Sequence, residues 1–278
     1  MRDAEHEVRI PIMALLRNKA MAPLQDAFSF DDDDAGDSAT RTRVLFINDV
    51  LFRAADAARL ILNRGELRYG MQSTDPAYDM ACALDFEELG LYDTWVARDI
   101  QGDHVSQWYP FVGDKHTRAL MRTGQPLRVY ACWNGMVAID AAAFIHGDAT
   151  FRSWRVAEPT SPHPLAVHDT REVFGRNSST GLDCAVSECH LICKDLWAMG
   201  RSRIYINPAV RVFYSRKAWW YHILLMPVAN MFLGWLHTPF SSHPKFDSAN
   251  AGSVPPRHVA CGLRHVAVEK AVTQQTGS

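Results

Sequence analysis

Residues 44–52 read VLFINDVLF, an apolar, β-favouring run that stops on an amide and an acid, Asn48-Asp49. The pattern recurs in YDMACALDFEELGLYDTWVARD (78–99), ACWNGMVAIDA (131–141), SECHLICKDLW (187–197) and RIYINPAVRVFY (203–214). Val44–Ile47, Met80–Leu84, Val129–Cys132 and Met136–Ile139 read as strands, with Asp85 ending the second and Asn134-Gly135 turning into the fourth. Ile204–Ile206 and Val210–Tyr214 read as two more strands around Asn207-Pro208, and Asp56–Asn63 and Glu188–Trp197 as helices. Alternating strands and helices predict an α/β fold. Ligands of such sheets bind just outside the carboxyl ends of strands, so one site assembled from several strand ends is expected.

Outward from this core, Pro11 sits where a first helical turn would start. Ile12, Leu15, Leu16 and Ala20 follow at helical spacing until Pro23. Asp31-Asp32-Asp33-Asp34 reads as a solvated loop, because adjacent like charges repel. The expected organisation is an N-terminal helix and acidic loop (1–43), a core (44–217), an apolar helical stretch (218–240) and a poorly ordered tail (241–278). Gly147–Gly181 is expected to loop over the site. Residues 218–236, AWWYHILLMPVANMFLGWL, are apolar with Trp near both ends, which permits membrane association. His222, Pro227 and Asn230 inside the run favour a buried or surface-docked helix over a span.

The 278 residues fit one large domain or two small ones, and a 47% hydrophobic fraction is ample for a core. A net charge of −2 supplies no basic field, so nucleic acid is not an expected partner. Six cysteines are too few for a disulfide scaffold, though they permit bridges. Cys184, Cys189, His190 and Cys193 do not match the spacing of paired zinc knuckles. The opening MRDAEHEVR lacks the apolar segment of a signal peptide.

Asp49 is the candidate metal ligand: a carboxylate at a strand end can hold Mn²⁺ or Mg²⁺ on the phosphates of a nucleotide-linked substrate. Asn48-Asp49 also reads as a plain turn or helix cap after a strand, since short Asx turns are common. Asp85, Asp93, Arg98 and Asp99, with Trp95, suit a sugar. Carboxylates accept hydroxyl hydrogens, a ring packs on the C–H face, and Arg98 can pair with a phosphate. An internal ion pair of Arg98 with Asp93 or Asp99 is the structural alternative. Asn134 can donate to and accept from a hydroxyl, Gly135 admits a close backbone approach, and Trp133 is either core or platform. Ser187 can cap a helix with Glu188 in its first turn, where the carboxylate either favours the dipole or orients an acceptor.

Together, FINDV, YDMACALDF, YDTWVARD, CWNGM, SEC-x-L-x3-DL and INPAVRVFY resemble fungal family 69 glycosyltransferases, the group of the cryptococcal α-1,3-mannosyltransferase and capsule-associated proteins. The resemblance begins near Arg9, in RIPIMALLRNKAMAPL, and ends near Tyr214. It implies a GT-A-like nucleotide-sugar fold with a mixed sheet flanked by helices. It also implies GDP-mannose as donor, a mannose-containing glycan as acceptor, Mn²⁺ or Mg²⁺, retention, and a Golgi or secretory-pathway membrane. Asn48-Asp49 then matches the metal-binding D-x-D, with Asn in its first position. Glu188 and Asp85 become the catalytic candidates. Asp93, Trp95, Arg98, Asp99, Trp133, Asn134 and Gly135 become the donor- and acceptor-binding ones. The family's membrane anchor and first strand–helix unit have no counterpart here, so a truncated enzyme is expected. The competing reading is a non-catalytic partner with the same fold in polysaccharide assembly or export. A metal-dependent phosphoesterase is a weaker third, since the relay is nearly free of His.

Overall fold

The computed structural model describes residues 2–28, 42–63, 78–88, 90–113, 115–145, 149–153, 186–225, 256 and 259. Within them the sheet has seven strands: β1 (Arg43–Ile47), β2 (Met80–Glu87), β3 (Gly90–Leu91), β4 (Arg98–Asp99), β5 (Leu127–Ala131), β6 (Met136–Asp140) and β7 (Ile204–Phe213). Their order is β1-β6-β2-β7-β5-β4, with β3 beside β2. β2 and β7 run parallel, while β6 lies antiparallel between β1 and β2. The carboxyl ends of β1, β2 and β7 therefore point the same way, and the amino end of β6 meets them there.

The alternation of β2 explains the layers. Met80, Cys82, Leu84 and Phe86 face one apolar cluster, and Ala81 and Ala83 face the other. On the large-residue face pack α1 (Arg2–Phe28), α3 (Lys115–Arg122), α4 (Ala142–Ile145) and α5 (Glu188–Ala198), through residues such as Met21, Met121, Phe144 and Ile192. Among the described helices only α2 (Ala54–Ile61) lies on the alanine face, where small side chains admit Leu60 close to the strands. Burying each such aliphatic side chain stabilises the fold by about 1.5–3 kcal/mol. After β7 come α6 (Arg216–Trp220) and a π-helical turn (Tyr221–Leu225).

The mixed sheet flanked by helices agrees with the expected α/β class, but three boundaries differ. The N-terminal helix runs through both Pro11 and Pro23 over 27 residues, because Ile10, Ala14 and Met21 bury one stripe of it against the sheet layer. β2 does not stop at Asp85 but carries it inside the strand. The two strands expected around Asn207-Pro208 are one: opposite the step from Cys82 to Leu84, β7 advances from Ile206 to Arg211, so the proline sits in a bulge. The Asn207 carboxamide closes that bulge by accepting from the Ala209 amide at 3.1 Å.

Cys82 and Cys132 form a disulfide with Cα atoms 6.2 Å apart, joining β2 to the end of β5. Cys189 and Cys193 are free, buried thiols one turn apart on α5. Burial raises both thiols above their ordinary range, Cys193 to about 12. Among the described residues no group of three or more His, Cys, Asp or Glu converges on a metal position. No helix among them is long and apolar enough to cross a membrane. The acidic run 31–34, most of the 147–181 loop, Cys184, residues 226–236 and nearly all of the tail lie outside the described residues.

Candidate active site

Two tight turns meet at the carboxyl end of the sheet. The Val50 amide donates to the Asn48 carbonyl at 2.8 Å, closing a three-residue turn with Asp49 at its tip. The Met136 amide donates to the Asn134 carbonyl at 2.8 Å, closing another around Gly135. A bond from the Asn48 amide to the Gly135 carbonyl, 2.9 Å, ties them together. Asn134 and Gly135 have φ of 50° and 72°, the left-handed conformation that an Asn-Gly pair tolerates best. A Cβ on Gly135 would sit 3.1 Å from the Asp85 Cβ, Val50 Cγ1 and Val212 Cγ2. Gly135→Ala is accordingly expected to cost about 2–4 kcal/mol, from strained φ and overpacking together. A chemical denaturation curve checks this.

Beneath the turns lies Asp85, fully buried. Its Oδ1 accepts from the Asn134 Nδ2 at 3.1 Å and the Asp93 amide at 3.2 Å. Asp85 Oδ2 and Asn134 Oδ1 are buried without a hydrogen-bond partner. Desolvation first, and the charge of Asp93 second, push the Asp85 carboxyl up to about 8. Asp93 is half-buried and accepts from the Val96 amide at 3.2 Å and the Asn134 amide at 3.3 Å. Burial raises its carboxyl too, against the pull of those amides and of Arg98, while the charge of Glu188 adds to the rise.

Glu188 opens α5 as expected, behind an N-cap Ser187 whose hydroxyl accepts from the Cys189 amide at 3.0 Å. It does not stand open to solvent, because its carboxylate pairs with Arg17 of α1. The Arg17 guanidinium also lies 4.5 Å from the centroid of Trp133, a buried ring whose Nε1 has no partner. Three acids (Asp85, Asp93, Glu188) thus face two guanidiniums (Arg17, Arg98).

The remaining candidates divide clearly. Asn48 is half-buried and its amide donates to the Tyr214 hydroxyl at 3.4 Å. Tyr214 packs on exposed Tyr92, ring centroids 4.4 Å apart. Asp49 is exposed at its turn tip, on a half-buried strand rather than the buried one expected. Trp95 is half-buried beside the main core. Arg98 and Asp99 form the wall behind the site instead of its surface. Buried Arg98 donates to the carbonyls of Trp95 at 2.7 Å and Ala97 at 2.9 Å, and burial lowers its pKa to about 10. Asp99 caps a turn by accepting from the Gln101 amide at 2.9 Å and the Asp103 amide at 3.0 Å. Arg17 was not singled out from the sequence. Its signal was there: it lies on the stripe Ile10, Ala14, Arg17, Met21, a charge on the buried face of a helix.

The raised pKa of Asp85 has a defined consequence for stability. Between its unfolded value near 4 and its folded value of about 8, the unfolded chain releases a proton that the native state keeps. This group's contribution is therefore full at acid pH and declines as pH rises through that window. His190 and His222, lowered to about 4 by burial, act oppositely: their contribution is lost as pH falls from about 6.5 towards 4. Asp85→Asn is expected to flatten the decline between pH 6.5 and 8, as followed by thermal melts across that range.

Carboxylates, amides and tyrosines gather at the carboxyl end of a mixed α/β sheet, the end at which such sheets place ligands. The class becomes specific through comparison. The family model described as Cryptococcal mannosyltransferase 1 matches residues 1–195, and the chain belongs to that family. It is 27% identical over 267 residues to the alpha-1,3-mannosyltransferase CMT1 of Cryptococcus neoformans var. neoformans serotype D, covering 91% of this chain and 49% of that protein. The chain thus spans about half the length of this curated relative. No solved structure matches it.

Proposed function

We propose that the chain carries a GT-A-like α-1,3-mannosyltransferase site that moves mannose from GDP-mannose to a mannose-containing glycan with retention. The observation that carries this reading is the joined pair of turns, which sets exposed Asp49 beside the unpartnered Asp85 Oδ2 and Asn134 Oδ1. Asp49 makes no side-chain hydrogen bond or ion pair among the described residues. Asp49 would hold an Mn²⁺ or Mg²⁺ ion as a hard-oxygen ligand. When bound, such an ion offsets charge on the departing GDP.

In the reaction the mannosyl C1–O bond to GDP breaks, a C1–O bond to the acceptor forms, and the acceptor hydroxyl proton passes to the departing phosphate oxygen of GDP. Asp93, half-buried and oriented by two backbone amides, faces the sugar. Asp85 positions Asp93 and the Asn134 carboxamide from below. Glu188 orients the acceptor once Arg17 yields it, and Tyr92 and Tyr214 offer ring faces to the sugar. The Cys82–Cys132 disulfide supports assignment to an oxidising, secretory compartment.

A second reading has its own observation. Glu188 locked to Arg17 suits a non-catalytic partner that keeps the fold for polysaccharide assembly or export. Release of GDP from GDP-mannose by the purified chain, with and without Mn²⁺ and beside UDP-sugar controls, separates the two. Mn²⁺-dependent release confined to GDP-mannose supports the enzyme. Saturable glycan binding with no release supports the partner.

A further inference from the structure

Next to the candidate site, on the side of α2 and α6, lies a cavity of about 550 Å³. Among the described residues Arg53, Arg59, Arg211 and Arg216 line it, against a single acid, Asp56. Asp56 answers only Arg53, with two contacts of 2.9 Å, while Arg59 donates to the Ala209 carbonyl at 3.1 Å. Arg211 makes one long contact to the Pro208 carbonyl, 3.4 Å. Arg216 is exposed and makes no hydrogen bond or ion pair among the described residues. The cavity therefore holds an uncompensated positive charge with free guanidinium donors, the chemistry that recognises a phosphate.

Its surroundings narrow the source of that phosphate. Leu51 and Phe52 at one edge and Trp220 at the other are exposed, and Leu224 and Leu225 continue the Trp220 side on the π-helical turn. Trp220 is 57% exposed and Leu225 60%. Leu51, Phe52 and Trp220 thus give the cavity an exposed apolar collar, and Lys217, Leu224 and Leu225, on the elements that carry Trp220 and follow it, are exposed as well. A soluble sugar phosphate would leave the collar in water. An anionic bilayer takes both parts at once, the collar in its interfacial region and the headgroup among the arginines.

We propose that this cavity and collar form a peripheral docking surface for anionic phospholipid, with the headgroup phosphate held by Arg211 and Arg216. The surface shares the segment after Asp49 with the candidate site, so docking places that site next to the membrane plane. The proposal does not depend on the donor, the metal or any turnover.

The test is co-sedimentation of the full chain with vesicles of phosphatidylcholine alone or with about 30% phosphatidylserine, with tryptophan emission followed in parallel. The expected result is at least about tenfold tighter binding to the anionic vesicles, with a blue shift in emission. Arg211→Gln with Arg216→Gln is expected to erase the preference for anionic lipid. Trp220→Ser with Leu225→Ser is expected to weaken binding to both vesicles. Arg216→Gln alone, at an exposed position without internal partners, keeps the test decisive should the double arginine variant not fold. Equal binding to both vesicles, or an unchanged preference in the arginine variants, would overturn the proposal. So would saturable binding of glucose 6-phosphate or GDP, lost in the arginine variants, with no vesicle binding, since that would assign the cavity to a soluble phosphate.

Discussion

Asp49→Ala is expected to lower donor turnover by about 10²–10³-fold while leaving the melting temperature where it was. The two halves of that expectation come from one fact: Asp49 stands exposed at a turn tip and its side chain makes no hydrogen bond or ion pair among the described residues. Removing it deletes nothing that holds the fold together. It deletes the hard-oxygen ligand on which the proposed ion, and so the departing diphosphate, depends. GDP release from GDP-mannose at saturating Mn²⁺, beside a thermal melt, checks both halves. Undiminished turnover in the variant would remove Asp49 from the site.

The largest effect on stability is expected from the disulfide. Cys82 and Cys132 are 50 residues apart, and closing a loop of that length restricts the unfolded chain by about 3–4 kcal/mol. Cys82→Ala with Cys132→Ala should therefore lower the melting temperature by roughly 10 °C. Reductant should do the same to the parent and nothing further to the double variant. The two remaining described thiols do not complicate the reading, because burial holds Cys189 and Cys193 in the neutral, unreactive form. A melt unmoved by either treatment would contradict the bridge.

How the sequence foretold these features depended on whether the signal was local. The Asn134-Gly135 turn was legible because both residues tolerate positive φ, and the Ser187 cap because the hydroxyl precedes an acidic first turn. The runs around Val44, Met80 and Met136 were legible from apolar content alone. Pro11 and Pro23 misled, since proline's local cost was outweighed by burial of one helix face, which only the assembled sheet layer supplies. Asn207-Pro208 misled similarly: a bulge absorbs a proline that a regular ladder would exclude.

The site showed the same division. Asn48, Asp85, Asp93, Asn134 and Gly135 lie together, although Asp85 sits inside its strand and Asp93 between strands. Arg98 and Asp99 looked equally suited to a ligand but turn to backbone groups, which no spacing reveals. The pairing of Arg17 with Glu188 joins residues 171 apart in sequence and belongs to the packing of α1 against α5. The Cys82–Cys132 bridge was one of several pairings that six cysteines permit.

The central claim is that the joined turns at the carboxyl end of the sheet hold a metal-bridged nucleotide diphosphate through Asp49. Electron paramagnetic resonance of Mn²⁺ tests it most directly, because the sharp signal of the free aqueous ion disappears on binding and no acceptor is needed. With GDP present, wild-type protein should deplete the free signal saturably beyond what GDP alone removes, and Asp49→Ala should not. Equal depletion by the two proteins, or none by the wild type, would contradict the account.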